Sequence, residues 1–263
     1  MSLDLIKRGS LEYLTAIELK TPHAFTTRRG GVSEGIFSSL NLAMHRGDRD
    51  ENVERNFKIL SDALGFDLKN LVLTRQTHSD IVRRVGKKDA CGLDHHFYPE
   101  SDALITNERG CALAVFTADC TPILLWDPAT GAVGAAHAGW RGTAADIAGK
   151  TARAMAEQFG CDPANIRAAI GPNIGECCFE TDGDVPEAML CAYGAAAAPF
   201  IRGTGAKFHV DLKGINALSL RLAGVENIEI SSDCTACARE LFWSHRTVGA
   251  ARGSQGALIV CGK

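Results

Sequence analysis

The sequence predicts an α+β fold from three observations. Short apolar runs bounded by glycine, proline or aspartate, as at residues 112–116, 123–126 and 132–136, are typical of buried strands joined by turns. These runs follow one another directly, whereas a doubly wound parallel sheet needs a helix between successive strands. Neither a clean linker nor an internal repeat interrupts the chain, so we expect residues 1–263 to form a single domain.

The first part of the chain predicts two strands and a helix. Residues 15–25 have the pattern of a strand that leads into a two-glycine turn at 30–31. Apolar side chains recur at helical spacing over 52–64, and Gly65 ends that predicted helix. Residues 71–82 are predicted to form a strand that turns at its polar centre.

The second part predicts three helices and three more strands. Residues 143–159 form the longest predicted helix, with Thr143 and Asp146 at the spacing of a capping box and Gly160 at its end. The remaining predicted elements are a strand at 166–170, a helix at 185–193, a small-residue connector at 195–206, a helix at about 212–223, a short strand at 228–230 and a terminal strand at 257–260.

A central hairpin is predicted to bring a thiol and an imidazole together. If residues 127–130 form a four-residue loop, Trp126 pairs with Gly131, and Cys120 then lies opposite His137. Opposed residues of an antiparallel pair share a face, with Cβ atoms roughly 5 Å apart. Pro122 cannot donate to a ladder and is expected at an edge or a bulge.

Composition excludes several classes of function. The apolar content of 46% and the charged content of 22% are ordinary for a soluble globular protein. A net charge of −3 and a pI near 6.2 argue against a broad basic surface for nucleic acid. No apolar run approaches the ~20 residues of a membrane span, and the N-terminus lacks a signal-peptide core. We expect a cytoplasmic protein that acts on a small molecule, without nucleic-acid, membrane or obligate protein partners.

The chain has 10 cysteines without a regular framework spacing. In a reducing compartment such cysteines are packing residues, ligands or nucleophiles more often than disulfides. Cys234 and Cys237 form a CxxC pair with no second CxxC, and we interpret them as structural or incidental. The adjacent residues Cys177 and Cys178 are expected to point apart. The polar-loop residues 95–96, both histidines, are expected to be solvated.

Cys120 and His137 allow three interpretations. They are a buried cysteine beside a hydrogen-bonded core histidine, a nucleophilic pair in which the imidazole raises the thiolate fraction, or part of a metal site. A metal site needs another ligand, and His78, on a polar turn, is the best candidate. Two histidines and one cysteine are a catalytic zinc set that leaves a fourth position for water or substrate.

Several ordered motifs resemble one known family, the bacterial laccase-domain proteins. This family is also described as polyphenol oxidase, peptidoglycan editing factor or purine nucleoside phosphorylase. The resemblance extends from about residue 21 to the C-terminus. The matching blocks are Thr26-Thr27-Arg28-x-Gly30-Gly31-Val32-Ser33, Ser39-Leu40-Asn41-Leu42, Gln76-x-His78, Asp102-Ala103-Leu104, Asp119-Cys120-x-Pro122, His137-Ala138-Gly139-Trp140-Arg141-Gly142 and Gly171-Pro172-x-Ile174.

The resemblance implies a zinc ion held by His78, Cys120 and His137. It also implies a layered α/β/β/α fold related to deamidase toxins that use a Cys–His pair. His245 lies in a further block that resembles the family, although no sequence feature positions it near the site. His45 and Arg46 are on a polar loop that could cover the pocket.

The family's described activities differ, and the residues favour some over others. Multicopper oxidation needs about ten histidines, largely in His-x-His pairs, for its copper cluster. This chain has 8 histidines and no His-x-His pair, so a true laccase is implausible. Copper could still occupy the site, because copper outranks zinc in affinity, and phenol oxidation would then be adventitious.

Purine nucleoside chemistry fits the residues better and is the leading hypothesis. Phosphorolysis of adenosine, inosine or methylthioadenosine needs a phosphate pocket, for which Arg28 and Arg141 are candidates through their forked donors. The alternative for each arginine is a surface ion pair. Asn41 and Gln76 offer paired groups either for a purine edge or for capping and turn hydrogen bonds, and Asp119 is a candidate to orient a ligand. Zinc lowers the pKa of a water to ~7, which would let that water deaminate adenosine at C6.

Two other hypotheses remain. The runner-up is an amide hydrolase that removes L-serine from a peptidoglycan precursor, with Cys120 as nucleophile or zinc as Lewis acid. Those two mechanisms compete for one sulfur, because a zinc-ligating thiolate does not readily attack an acyl group. A third is a binding or structural protein whose zinc only fixes loops, which would take four protein ligands.

Overall fold

Two six-stranded sheets with helices on their outer faces form most of the computed structural model, which describes residues 3–90, 92–93 and 99–262. The expectation for the histidines at 95–96 lies outside these residues. The strands are β1 Asp4–Arg8, β2 Leu11–Thr15, β3 His23–Thr26, β4 Leu71–Val72, β5 Val82–Arg84, β6 Ala103–Thr106, β7 Ala112–Thr117, β8 Thr121–Trp126, β9 Val133–Ala138, β10 Arg167–Ile170, β11 Glu180–Thr181, β12 Ile201–Thr204, β13 Lys207–Val210, β14 Asn227–Ile230 and β15 Gln255–Val260. The helices are α1 Asp50–Leu64, α2 Trp140–Ala144, α3 Ile147–Phe159, α4 Asp184–Tyr193, α5 Leu212–Leu222 and α6 His245–Val248.

The two large sheets are mostly antiparallel. The first has the order β1-β2-β3-β15-β7-β4 and the second has the order β14-β10-β8-β9-β6-β5. The pairs β4–β7, β5–β6 and β10–β14 are parallel. A small sheet, β11-β13-β12, lies beside them. Among the described residues, no helix has both the length and the apolar character needed to cross a membrane.

Alternating side chains build the layers. On β8, Leu124 packs into the core between the two sheets, whereas Ile123 and Leu125 pack with residues of α3 and α5. On β15, Ile259 faces the same inter-sheet core, whereas Leu258 packs with residues of α1. Successive side chains of a strand point to opposite faces of the sheet, so a strand buried on both faces contributes side chains to two different cores. The resulting α/β/β/α arrangement confirms the predicted layered α+β class, and the relationship to deamidase toxins stays a prediction.

The predicted register of the central hairpin is wrong by two residues. Thr121 pairs with Ala138 and Trp126 with Val133, so His137 lies opposite Pro122 rather than opposite Cys120. The four-residue loop is 128–131. The Asp127 carboxylate accepts hydrogen bonds from the N–H groups of Ala129 and Thr130, and Gly131 takes a left-handed φ of 74°. A shift of two preserves the face, so the thiol and the imidazole still meet, now diagonally.

Pro122 lies in an interior strand, and the expectation of an edge or a bulge is wrong. It is the second residue of β8, and the ladder with β10 begins only at Ile123, which pairs with Ile170. The Pro122 carbonyl accepts from the Gly171 N–H, just beyond the end of β10. The missing N–H therefore removes no rung of the described ladder.

The long helix predicted over 143–159 is two helices, and its capping box is wrong. Asp146 interrupts it with a φ of 64°. Its carboxylate accepts a hydrogen bond from Ser219 on α5 and forms an ion pair with Arg153. Thr143 Oγ1 accepts a hydrogen bond from Asn216, which is also on α5. Contacts with α5 thus replace the local cap. The ends of α1 and α3 at left-handed Gly65 and Gly160 agree with the prediction.

Three other boundaries differ. Residues 16–22 are not strand, because the chain turns there and the Ala16 N–H donates to His23 Nε2. The strand predicted at 71–82 is two short strands in different sheets, β4 and β5. The predicted connector at 195–206 contains β12, which pairs with β13.

Candidate metal centre

Three side chains from separate parts of the fold converge at one end of the second sheet. His78 is on the loop between β4 and β5, Cys120 is between β7 and β8, and His137 is on β9. Their ligand atoms all lie within 4.8 Å of one another. The Cys120 Sγ–His78 Nε2 distance is 3.7 Å, and the two imidazole centroids are 4.9 Å apart. The structure therefore brings together all three metal ligands that the family resemblance implies.

The geometry fits a tetrahedral zinc ion. Zinc–sulfur and zinc–nitrogen bonds of ~2.3 and ~2.05 Å at a tetrahedral angle put the two ligand atoms about 3.6 Å apart. The observed Cys120–His78 separation of 3.7 Å is close to this value. Within the described part of the chain, this group of potential ligands has three members. A donor set of two nitrogens and one sulfur leaves a position for water or substrate, as catalytic zinc sites do.

Asp102, at the start of β6, holds two of the three ligands in place. Its buried carboxylate accepts hydrogen bonds from the N–H groups of residues 77–79, from the Ser79 hydroxyl and from His137 Nδ1, the last at 2.8 Å. The contacts with residues 77–79 shape the turn on which His78 has a left-handed φ of 61°. The bond to Nδ1 leaves Nε2 of His137 for the metal, an arrangement typical of histidine ligands.

Burial opposes ionisation of Asp102, but donation from His137 and Ser79 outweighs it and lowers the pKa of this carboxyl to about 2. Burial also opposes ionisation of Cys120, yet the charge of His137 and hydrogen bonds from both histidines lower the pKa of the thiol to about 6. For His137, burial is outweighed by Cys120 and Asp102, which raise its pKa to about 9. A thiolate at neutral pH suits either metal ligation or nucleophilic attack.

Asp119 acts on the centre through the main chain. Its carboxylate accepts from Thr235 Oγ1 and from the Arg246 N–H, both at 2.6 Å, and its carbonyl accepts from the Ile174 N–H. These bonds hold Asp119 at a φ of 90° and so fix the turn that presents Cys120. The carboxylate that touches a ligand is that of Asp102, which the sequence reasoning missed although Asp102-Ala103-Leu104 was one of the matching blocks.

Because Gly139 has no side chain, the ligands His78 and Cys120 can lie close to its backbone. This close approach gives a testable prediction. A Cβ at this position would lie 2.6 Å from His78 Cδ2 and 3.2 Å from Cys120 Sγ. We expect Gly139→Ala to lower zinc affinity by about 10- to 100-fold, the range found when ligand orientation is disturbed, because the exposed His78 ring must move away. Competition with a chromogenic chelator measures this change.

Gly183→Ala is the matched control, since its Cβ would meet nothing closer than Phe208 at 4.0 Å. The control should bind zinc as the wild type does, and the melting temperatures of the metal-free proteins should be similar. Wild-type zinc affinity in Gly139→Ala would show that the metal is held elsewhere.

A cavity of about 770 Å³ opens above the three ligands. This volume is within the ~300–1,000 Å³ of small-molecule sites. Its lining includes apolar side chains, here called the apolar wall, the arginines Arg46 and Arg252, here called the cationic wall, and the three potential metal ligands. The lining residues are Leu42, Ala43, Met44, His45, Arg46, Phe57, Leu73, Thr74, Arg75, Gln76, His78, Phe116, Thr117, Ala118, Cys120, His137, Arg252 and Ser254.

Of the two residues predicted to contact a purine edge, Gln76 lines this cavity and Asn41 does not. The Gln76 amide bonds both main-chain groups of Phe116, with each distance 2.7 Å, so it fixes the wall at the edge of β7. Asn41 is fully buried, donates to Asp48 and accepts from the Ser254 N–H. Its contacts hold the loop that carries His45 and Arg46.

The two arginines predicted to bind phosphate lie outside the cavity lining. Arg28 donates to the carbonyls of Ser38 and Arg239, and its guanidinium lies 3.8 Å from the centroid of Trp243. Arg141 is exposed and stacks on Trp140 at 4.1 Å.

Sequence reasoning missed Arg252 and Thr117. Arg252 precedes β15 and enters the cavity wall because β15 runs beside β7. No local motif marks it. Thr117 ends β7, and its buried hydroxyl makes no hydrogen bond to the described residues. Its position three residues before Cys120 is the signal that was available.

Comparisons with known proteins show the family to which the chain belongs. A family model described as multi-copper polyphenol oxidoreductase laccase matches residues 22–262. The chain is 38% identical over 240 residues to "Purine nucleoside phosphorylase YlmD" of Geobacillus stearothermophilus, covering 89% of this chain and 86% of that protein. It is 36% identical over 253 residues to "Adenosine deaminase RL5" of an unknown prokaryotic organism, covering 93% and 95% respectively.

A solved structure extends the likeness to the whole fold. The crystal structure of the Bacillus licheniformis hypothetical protein YfiH has a TM-score of 0.92 and 33% sequence identity, and the match covers 98% of each chain. The sequence blocks, the converging ligands and the family-model match all point to the same conclusion. The chain belongs to the laccase-like family described as multi-copper polyphenol oxidoreductase laccase, with relatives named purine nucleoside phosphorylase and adenosine deaminase.

Proposed function

We propose that this chain is a zinc-dependent purine nucleoside phosphorylase that also deaminates adenosine. Adenosine, inosine and methylthioadenosine are the proposed nucleosides, and inorganic phosphate is the second substrate. The observation that carries the proposal is one cavity lined by the His-Cys-His group, by the cationic wall and by the apolar wall. The names of the relatives support the same activities.

The apolar wall suits a purine ring. Phe116 and Phe57 meet edge to face with their centroids 5.9 Å apart, and Leu73 and Met44 adjoin them. A flat heterocycle gains from offset or edge contacts with such rings.

The cationic wall suits phosphate. The Arg252 guanidinium is fixed by the Ser254 hydroxyl and by the Gly253 carbonyl. Burial lowers its pKa and the nearby charge of Arg46 lowers it further, while the charges of Asp119 and Cys120 act in the opposite direction. Two guanidinium groups that repel each other in one cavity form a natural site for an anion, which relieves the repulsion and accepts forked hydrogen bonds.

Phosphorolysis requires little covalent chemistry from the protein. A phosphate oxygen bonds to C1′ of the ribose, the C1′–N9 bond breaks with its electron pair, and the proton of the phosphate ends on the purine. Arg46 and Arg252 would hold the phosphate, and the apolar wall would hold the leaving base. Zinc, held by His78, Cys120 and His137, would supply a Lewis acid that polarises an oxygen of the substrate.

Amide hydrolysis is the second candidate, and the Cys120–His137 pair favours it. A thiol with its pKa lowered to about 6 beside a histidine is the arrangement of a cysteine nucleophile. In that case L-serine would be released from a peptidoglycan precursor, and zinc would compete with catalysis for the sulfur.

An assay on metal-defined protein separates these functions. Zinc-loaded, copper-loaded and metal-free protein are each given nucleosides with and without phosphate, and a muropeptide precursor that carries L-serine. We expect free purine only with phosphate, ammonia from adenosine without it, and both only in the zinc form. Serine release by metal-free protein, without purine release by any form, would support the hydrolase instead.

Arg252→Ala tests the phosphate site. We expect it to raise the KM for phosphate by about 10- to 100-fold, since a hydrogen bond to a charged group contributes ~1.5–3 kcal/mol, with a smaller change in the KM for inosine. Initial rates over a phosphate series measure both constants. Arg221→Ala, at an exposed arginine on α5, is the control and should leave both unchanged.

An unaltered phosphate KM in Arg252→Ala would remove this residue from the phosphate site. The same assay on Arg141→Ala tests the role that the sequence alone assigned to that residue.

A further inference from the structure

Four cysteines of the segments that follow β10 and β14 meet in the structure. They are Cys177, Cys178, Cys234 and Cys237, and their sulfur atoms all lie within 4.8 Å of one another. The Sγ of Cys237 is 3.6 Å from that of Cys177 and 3.4 Å from that of Cys178. We name these four residues the cysteine cluster. The expectation that Cys177 and Cys178 point apart is wrong, because both sulfur atoms lie beside that of Cys237, and no joint role for the four cysteines was predicted.

The topology of the second sheet explains the meeting. β10 and β14 are parallel neighbours, so the chain leaves both at the same edge. The two segments that follow remain paired, with a parallel bridge between Asn173 and Cys234 and a hydrogen bond from the Thr235 N–H to the Asn173 carbonyl. Gly175 allows the close approach, because a Cβ there would lie 3.2 Å from Cys234 Cβ.

The spacing of the sulfurs fits a shared metal ion better than a disulfide. Four thiolates around a tetrahedral zinc ion with ~2.3 Å bonds lie about 3.8 Å apart. The distances of 3.4 and 3.6 Å are near that value, and all four cysteines are unbridged. A disulfide would need ~2.05 Å. A CxxC pair joined by two further cysteines is a full ligand set for a closed, structural zinc site.

Donors around the cluster suit its negative charge. The Gly175 N–H points at Cys234 Sγ from 3.2 Å, and such bonds stabilise a metal-bound thiolate. The largely buried Lys213 lies close enough for its charge to interact with Cys234 and Cys177, and it is held there by donation to the Asp233 carbonyl. Four thiolates on one zinc carry net negative charge, which this ammonium offsets.

We propose that the cysteine cluster binds a second, structural zinc ion through four thiolates. This site is distinct from the His-Cys-His group, and its metal binding does not require the proposed enzymatic activity. The ion would join the segment after β10 to the segment after β14. Those same segments hold Asp119, through the Ile174 N–H and Thr235 Oγ1, and Asp119 fixes the turn of Cys120. The second ion would therefore stabilise the frame of the first.

Metal analysis of the full-length protein, purified with zinc and without chelator, tests the proposal. We expect two zinc ions per wild-type chain by mass spectrometry of the metal. Cys237→Ser and, separately, Cys178→Ser should each lose one ion and retain the other. Cys191→Ser is the matched control, because this exposed cysteine on α4 belongs to neither ligand group, and it should retain two.

Cobalt substitution identifies the ligands even where a serine variant folds poorly. Cys120→Ala lacks a ligand of the His-Cys-His group but retains the whole cysteine cluster. Co²⁺ bound to this variant should give the intense sulfur-to-metal charge-transfer and visible bands of a tetrahedral tetrathiolate site. These bands should disappear in Cys120→Ala combined with Cys237→Ser. One zinc per wild-type chain, no tetrathiolate spectrum, or a disulfide within the cluster in freshly purified protein would each overturn the proposal.

Discussion

We expect Cys120→Ala to lose one zinc ion per chain and the phosphorolytic and deaminating activities together. Cys120 supplies the sulfur of a group whose other members are His78 and His137, and two imidazoles alone hold zinc weakly. Activity should fall by at least about 100-fold, because neither reaction would retain its Lewis acid. Metal analysis and the phosphate-dependent release of hypoxanthine from inosine measure the two losses in one preparation.

The fold should survive this change. Cys120 is at a turn that Asp119 holds through its own hydrogen bonds, and alanine removes only a sulfur atom from the cavity lining. The metal-free forms of the variant and the wild type should therefore melt within about 3 °C of each other. Cys191→Ala controls for general effects of cysteine loss. Full zinc content in Cys120→Ala would refute the ligand assignment, and full activity in a zinc-depleted variant would refute the zinc mechanism.

The local sequence pattern was sufficient to predict the strands on and beside which Cys120 and His137 lie. Apolar runs around Cys120 and His137 predicted β7, β8 and β9, and the shared face of the two side chains survived a wrong loop position because side-chain direction repeats every two residues. The helices that end at Gly65 and Gly160 were also predictable, since a left-handed C-cap is encoded locally. The polar turn made His78 the best candidate for the third ligand, and the family resemblance implied the same residue.

Long-range contacts account for most of what was missed. Asp146 breaks a helix because it bonds to Ser219 on α5, 73 residues away in the chain. Arg252 enters the cavity wall only through the pairing of β15 with β7. The cysteine cluster forms only because β10 and β14 are neighbours in the sheet. The hydrophobic pattern of a short stretch of sequence predicts which face of its strand or helix a residue occupies. It does not predict which distant residue packs against that face.

Asp102→Asn should have the second large effect, on both stability and zinc binding. The carboxylate accepts from three consecutive N–H groups, from the Ser79 hydroxyl and from His137 Nδ1. The side-chain amide of the variant has one acceptor oxygen in place of two, and its NH₂ group would face some of these same donors. With each buried donor left unpaired costing ~1–3 kcal/mol, we expect the unfolding free energy to fall by about 2–5 kcal/mol. Urea titration of metal-free protein measures this loss.

Zinc affinity should fall as well, by about 10- to 100-fold, because His137 loses the partner that fixes its tautomer and ring orientation. Asp80→Asn is the matched control: this neighbouring carboxylate forms a half-exposed ion pair with Lys150, which contributes at most ~1 kcal/mol. Equal stability and zinc affinity in Asp102→Asn and wild type would contradict the anchoring role of this carboxylate.

The acid side of the stability curve provides an independent check on Asp102. Its pKa is about 2 in the folded protein against 3.8 for the unperturbed group, so folding favours its ionised form. The stability it contributes is complete above pH ~4 and is lost as the pH falls towards ~2. In Asp102→Asn that contribution is absent at every pH, so the difference in unfolding free energy between wild type and variant should narrow below pH ~4. A difference that stays constant between pH ~6 and the lowest pH at which both proteins fold would mean that the ionised carboxylate is not the group that stabilises the His78 turn.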